Sequence, residues 1–415
     1  MKRFARPLRH RRFRRVWCGQ AISSIGDGIF NIAMIGAVLL HHRYADLGFV
    51  LAVECAAMVL MSLLGGALAD RMRRGRAMAL SDIMQIGAVL GFTLGVANGP
   101  LVAILPFAAL MGIGEAMFQP AFDALTPSLV PDEDLSEANA LTSVTAKLGG
   151  FVGQALGGTL LAVCGYKVAL LVDLGTFAVP LLTLIGLDDP VPERSESQSV
   201  LRDAWAGLSA VRERPWVMTV ILQGTVQLLL VMGPAVVLLP ILLKQRGQFD
   251  AYGIIVALEA AGFVLGGLAT STWKPRRTGV VALCSLSLLS LQLLALLLGL
   301  PLYVLGLTVL ATGFGYAVFR VLWVSALQRA FPDELLGRAL SVEMLGTFAL
   351  APVGLALTPL AMEALGDKPL LIAALLILVS STIVPLFQRK VRMFSSDDPV
   401  PSELVTVPAG TARDQ

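Results

Sequence analysis

A charged side chain in an apolar stretch long enough to cross a bilayer costs roughly 2.5–3.5 kcal/mol at its centre, so it asks for a partner or a cavity. This chain carries several such residues. Asp27, Glu115 and Glu259 lie nearest the middle of their stretches, Glu54 and Asp173 toward one end, and Asp123, Lys147, Arg320 and Glu343 toward the other. A carboxylate in that setting can lose and regain a proton, or receive a cationic group of a ligand. Glu115, Asp27 and Glu259 are therefore the candidates for proton coupling. Polar residues also recur four apart, hence on one helical face: Asp27 with Asn31, Glu115 with Gln119, Gln223 with Gln227, Tyr316 with Arg320. Plainer roles exist for each: Asp27 capping or pairing locally, Lys147 neutralising Asp123 or Glu115, Arg320 snorkelling to the interface, Glu343 easing a helix end.

No enzymatic constellation competes with this reading. The three histidines, His10, His41 and His42, fall in a tail and a short loop, and no GxSxG, HExxH or Walker pattern occurs. The four cysteines, Cys18, Cys55, Cys164 and Cys284, stand far apart without the spacing of a zinc site or a disulfide framework. The acidic run Asp132–Glu133–Asp134 recurs as Asp333–Glu334, which marks it as a helix-starting turn rather than a metal cluster. Neither metal nor cofactor is expected.

The elements that must position these residues are legible from composition. Of 415 residues 56% are hydrophobic and only 15% charged, where a soluble domain carries about a quarter charged. A membrane-crossing helix takes about 20 mostly apolar residues. That length predicts spans at 16–40, 46–69, 77–97, 101–123, 138–164 and 168–187, then at 216–243, 249–272, 278–298, 301–323, 339–363 and 369–388. The expected organisation is an all-α membrane protein of twelve helices: a six-helix half at 1–187, a linker at 188–215, a second half at 216–388 and a tail at 389–415. The linker opens rich in Pro and Ser and continues as a surface helix near 199–214; the polar tail reads as disordered. The basic N-terminus precedes an apolar stretch too long for a signal peptide, so that stretch is read as the first span.

Basic residues set the orientation. With the N-terminus inside, 25 Lys and Arg fall on the cytoplasmic side and five on the other, a strong positive-inside bias. Both termini are thus expected in the cytoplasm and the chain in the cell's inner, or plasma, membrane. The opening KRFARPLRHRRFRR reads as a topology determinant against anionic lipid, not a nucleic-acid arm.

The sequence also repeats itself. Shifted by 201 residues, Gly112–Ala138 falls on Gly313–Ala339 without a gap, with nine identities in 27 positions. The fourth span and its loop thus match the tenth and its loop, both running in the same direction. Two parallel-related halves facing each other across a central site are the architecture of alternating access.

These features support a resemblance. The segment GGALADRMRRGR (65–76), with Gly66 four before Asp70 and the basic turn Arg71, Arg73, Arg74, resembles the hallmark loop of the major facilitator superfamily. FRRVWCGQAISSIGDGIF and FPDELLGRALS look like its bacterial drug and siderophore exporter branch, with macrolide-efflux and enterobactin-exporter-like proteins. Gly149, Gly153, Gly157 and Gly158, with Gln154 where a proline is usual, resemble the antiporter motif. The resemblance implies a major facilitator fold in which spans 1, 4, 7 and 10 line the cavity. On these the wall would carry Asp27, Asn31, Glu115, Gln119, Gln223, Gln227, Tyr316 and Arg320. It also implies that Gly66, Asp70, Arg71 and Arg74 form a gate, Asp70 latching onto the start of span 11 in one conformation. Many proton-coupled members carry an arginine four residues before the span-4 glycine. Here Ala108 takes that place, leaving Arg320 or Lys147 to oppose the coupling carboxylate.

The expected function is a monomeric secondary transporter exporting amphipathic small molecules, drug or secondary metabolite, by proton antiport. Its partners would be the lipid bilayer, the substrate and protons. A siderophore or lysophospholipid carrier is the alternative within the class, and a non-transporting membrane scaffold or sensor the alternative outside it.

Overall fold

The computed structural model describes residues 6–69, 72–186, 200–273 and 275–394. Asp70 and Arg71 of the expected gate, residues 187–199 of the linker and residues 395–415 of the tail lie outside them. Among the described residues 12 helices are long and apolar enough to cross a membrane, and no strand occurs.

The first six spans are unbroken: α1 (Arg11–His41), α2 (Tyr44–Ala69), α3 (Arg74–Gly95), α4 (Leu101–Leu125), α5 (Asp132–Cys164) and α6 (Tyr166–Leu184). An amphipathic helix, α7 (Val200–Arg212), follows. The later spans are more interrupted. The seventh comprises α8 (Pro215–Gln227), a π-helical turn (Leu228–Met232) and α9 (Gly233–Gln245). Pro234 lacks the N–H that would continue the regular ladder, which accounts for the wider turn before it. Then come α10 (Tyr252–Thr272), the paired α11 (Thr278–Leu286) and α12 (Leu289–Leu297), and α13 (Leu302–Ala330). The eleventh span is α14 (Asp333–Phe348) and α15 (Ala351–Leu365), broken just before Pro352, which lacks the N–H that would donate to the carbonyl of Phe348 four residues earlier. The last elements are α16 (Asp367–Ile383) and a short α17 (Arg389–Met393).

Span positions follow the sequence expectation closely; the helices differ mainly in running past the apolar ruler. Helix α13 continues to Ala330 and α5 starts at Asp132, because helices outlast the hydrocarbon and finish among polar groups. Pro131 and Pro332 precede α5 and α14 in matching extended conformations, with Asp132 and Asp333 opening the helices. At α5 the carboxylate of Asp132 complements the positive helix end.

Without a hydrophobic force between helices in lipid, close packing of small residues holds spans together. The internal repeat shows how. Gly112 of α4 lies against the backbone carbonyl of Glu54 in α2, and its counterpart Gly313 of α13 lies against that of Glu259 in α10. A side chain at either glycine would collide with that backbone. The repeat thus extends to the partner helices and makes Glu54 and Glu259 structural equivalents.

Candidate functional site

The buried apolar residues fall into three clusters, and their placement defines the site. One large cluster crosses the molecule on the face away from the termini. It joins Ile32, Ile35 and Leu39 of α1, Leu47 and Val50 of α2 and Leu170 of α6 to Val237, Ile241 and Leu243 of α9, Ile255 of α10 and Leu371 of α16. On the face carrying the termini, the basic face, there are two separate clusters. One belongs to the first six spans, around Phe13, Met78 and Phe122; the other to the last six, around Trp216, Trp323 and Leu327. One core on one side and two on the other describe a cleft open to the basic face.

Polar and close contacts close the opposite face. Arg43 pairs with Glu363 at 2.9 Å, and Lys244 donates to the carbonyl of Leu39. Gly48 of α2 sits against Leu355 and Pro359 of α15. Gly158 of α5 meets Gly253 of α10 so tightly that a β-carbon on Gly158 would lie 2.5 Å from the Gly253 Cα. Deeper in the molecule the α5–α10 seam continues as Phe151 against Phe263, with ring centroids 6.3 Å apart.

The ionisable residues converge at the floor of this cleft. Glu115 on α4 lies within electrostatic reach of Asp27 on α1, Glu54 on α2 and Lys147 on α5. Its side chain is open to solvent yet enclosed by protein on nearly every side, as on the wall of a narrow cleft. Asp27 is half-buried, and its Oδ1 has no hydrogen-bond partner among the described residues. Asn31 is exposed; Gln119, also exposed, donates to Asp123 at 2.8 Å. Across the cleft, Tyr316 of α13 packs on Phe263 at 5.9 Å, and Lys147 lies 6.0 Å from the same ring. Phe263 is thus a bridge between the charged groups of the first six spans and the polar face of α13. Glu259 is within electrostatic reach of Tyr316.

Several expected residues sit elsewhere. Gln223 and Gln227 are buried rather than on the wall: Gln227 donates to Ser381 of α16 at 3.0 Å, and both amide atoms of Gln223 lack partners among the described residues. A pair four apart marks a face but not what that face meets. Arg320 is not free to snorkel; it pairs with Glu343 at 3.4 Å, and the Trp323 indole donates to the same carboxylate at 3.2 Å. Glu343 therefore ties α14 to α13 instead of merely easing a helix end. Of the glycine motif, Gly149, Gly153 and Gly157 face Ser24, Ile25, Gly28 and Ile29 of α1, whereas Gly158 faces the other half. In the gate loop Gly66 lies in α2 and Arg74 opens α3. The basic-face end of α14 is packed against α7, Gly207 lying against the Arg338 carbonyl, while the space beside Gly337 is open.

One residue escaped sequence reading altogether. Asp82 of α3 is fully buried, with both carboxylate oxygens lacking partners among the described residues. Its signal was the polar set Ser81, Asp82 and Gln85 two turns into a span.

Twelve spans, a repeat carried into the packing, and a charged cleft between two halves define a secondary transporter. The Major Facilitator Superfamily model matches residues 16–354. The chain belongs to that superfamily and is a multi-pass membrane transporter, not an enzyme. It is 30% identical over 413 residues to the enterobactin exporter EntS of Escherichia coli (strain SMS-3-5 / SECEC), covering 94% of this chain and 96% of that protein. Among solved structures it resembles the nucleoside transporter NupG, at TM-score 0.75 and 12% identity, covering 90% of this chain and 99% of that one. It also resembles a bacterial homologue of the iron transporter ferroportin in an inward-facing state, at 0.72 and 17%, covering 91% and 98%.

Proposed function

We propose that the chain exports amphipathic small molecules, taking them from the basic-face compartment and returning protons through Glu115. The observation that carries this is the cleft itself: open on the basic face, with Glu115, Asp27 and Lys147 on one wall, Tyr316 on the other, and Phe263 between. Such a wall suits a ligand with an apolar body and a few polar or charged groups. The similarity to an enterobactin exporter supports outward transport and keeps a siderophore-like cargo as the second reading. Asp70 and Arg71 would latch the basic-face gate when it closes.

Growth and accumulation assays test the proposal. A strain lacking this chain should accumulate at least one amphipathic compound in a panel of drugs and siderophores, and the wild-type chain should restore its export. Equal accumulation of every compound with and without the chain would overturn it.

The positive-inside bias supports a cytoplasmic location for both termini and residues 188–215, in a cell whose inner membrane holds the protein. A cysteine introduced at Ser197, in a background without the four native cysteines, should resist an impermeant thiol reagent added to intact cells. Labelling from outside would invert the orientation, and with it the direction of export.

A further inference from the structure

Away from the central cleft, the basic-face ends of α3 and α6 enclose a cavity of about 570 Å³. Its α3 wall is Arg73, Gly75, Arg76 and Ala79; the facing wall is Ala178, Leu181, Leu182 and Leu184 of α6 with Ile185 just past its end. Helix α3 packs on α4 and α6, and α6 on α1, α3 and α5, so this cavity opens to the surroundings of the protein rather than between the halves. Leu182 and Ile185 are 62% and 64% exposed, as are other apolar side chains of the same flank, such as Ile83 at 57%. These helices end here, which sets the cavity at the depth where hydrocarbon gives way to headgroups.

The charge at the mouth selects the occupant. Arg73 and Arg76 are exposed, and neither has a carboxylate partner among the described residues. A third guanidinium stands beside them: Arg15 donates to the carbonyls of Leu182 and Ile185, at 2.8 and 2.9 Å, and caps α6. Cationic mouth, apolar walls and bilayer depth together match an amphiphile with an anionic head. We propose that this crevice binds one anionic phospholipid of the basic-face leaflet, its phosphate at Arg73 and Arg76 and an acyl chain along Ala178, Leu181 and Leu182. Arg73 lies three residues after Asp70, so an occupied crevice would hold the entry to α3 beside the gate loop.

Lipid binding can be read without any transport assay. The full chain is purified in detergent, offered phosphatidylglycerol against phosphatidylethanolamine, and its retained lipid measured by native mass spectrometry. Wild type should keep one phosphatidylglycerol in preference. A basic residue near an anionic surface contributes about a factor of five, so Arg73→Gln with Arg76→Gln should weaken retention roughly 30-fold. Ala178→Trp, which fills the cavity and leaves the arginines in place, should also abolish the preference. Arg276→Gln with Arg277→Gln removes the same charge elsewhere on the basic face and should behave as wild type. The proposal falls if Ala178→Trp retains the lipid as wild type does, or if the Arg276, Arg277 pair loses as much as the Arg73, Arg76 pair. It falls equally if millimolar inorganic phosphate displaces the lipid completely, since that would make the arginines an ion site with no use for the apolar walls.

Discussion

Replacing Glu115 by Gln should reduce transport driven by an imposed pH gradient on the order of 100-fold in proteoliposomes, the scale lost when a positioned proton-transfer group is removed. The substitution keeps shape and hydrogen-bonding capacity and removes only the ability to exchange a proton. Glu115 is the candidate because it combines two properties: contact with the cleft, and enclosure by protein that includes Lys147. When the carboxylate is neutral the lysine loses that counter-charge; when it is ionised the two attract. Substrate and proton can therefore compete for one charge balance, which is what exchange requires. Asp27, half-buried with an unpartnered oxygen, is better placed to receive a cationic group of the cargo. Asp27→Asn should thus raise the substrate concentration for half-maximal transport of cationic compounds while sparing the response to the gradient. Full gradient-dependent transport in both variants would remove both carboxylates from the mechanism. A wild type indifferent to the gradient would replace antiport with another coupling ion or with facilitated transport.

The sequence made the spans easy to find because lipid imposes a length and a polarity on every crossing helix, and nothing at the level of packing overrides that. The repeat at 112–138 and 313–339 was equally open to reading, since it lies in contiguous residues. Which polar residue faces the cleft was a harder question. Gln223 and Gln227 share a helical face as Glu115 and Gln119 do, yet the first pair is packed against neighbouring spans and the second is open. Sequence marks the polar face of a helix by contrast with the rest, but not which neighbour that face meets, and in α8 Gln227 turns to α16. Pairings across helices were hidden for a related reason. Arg320 and Glu343 sit 23 residues apart on different elements, and the bridge at Phe263 depends on two rings and an amine from three helices. The equivalence of Glu54 and Glu259 was legible too: shifted by 205 residues, Gly48–Leu63 falls on Gly253–Leu268 with seven identities in 16 positions, and the glycines that pack on their carbonyls bear it out.

The second large effect is expected at the seam that closes the face away from the termini. Alternating access requires that face to open, and the Gly158–Gly253 contact to part, in each cycle. At the present separation no side chain fits between the two backbones. Gly158→Leu should therefore exclude the arrangement described here and favour the opposite one, with the cleft open on the far face. Transport should fall to background, because a carrier held in one state cannot complete a cycle. Loss of activity alone would also follow from misfolding, so the informative measurement is accessibility. A cysteine at Asn31, exposed in the cleft, should react with an impermeant reagent from the basic face in an otherwise unaltered chain. With Gly158→Leu added, the same cysteine should react from the far face and become protected on the basic one. Substitution at Gly150 offers the comparison, since it lies on the same helix with open space beside it and should change neither transport nor labelling. If Gly158→Leu leaves the cysteine reactive from the basic face and transport intact, the α5–α10 contact is ordinary packing and the moving seam lies elsewhere. The remaining place for it would be α2 against α15, where Gly48 meets Leu355 and Pro359 just past the break in the eleventh span.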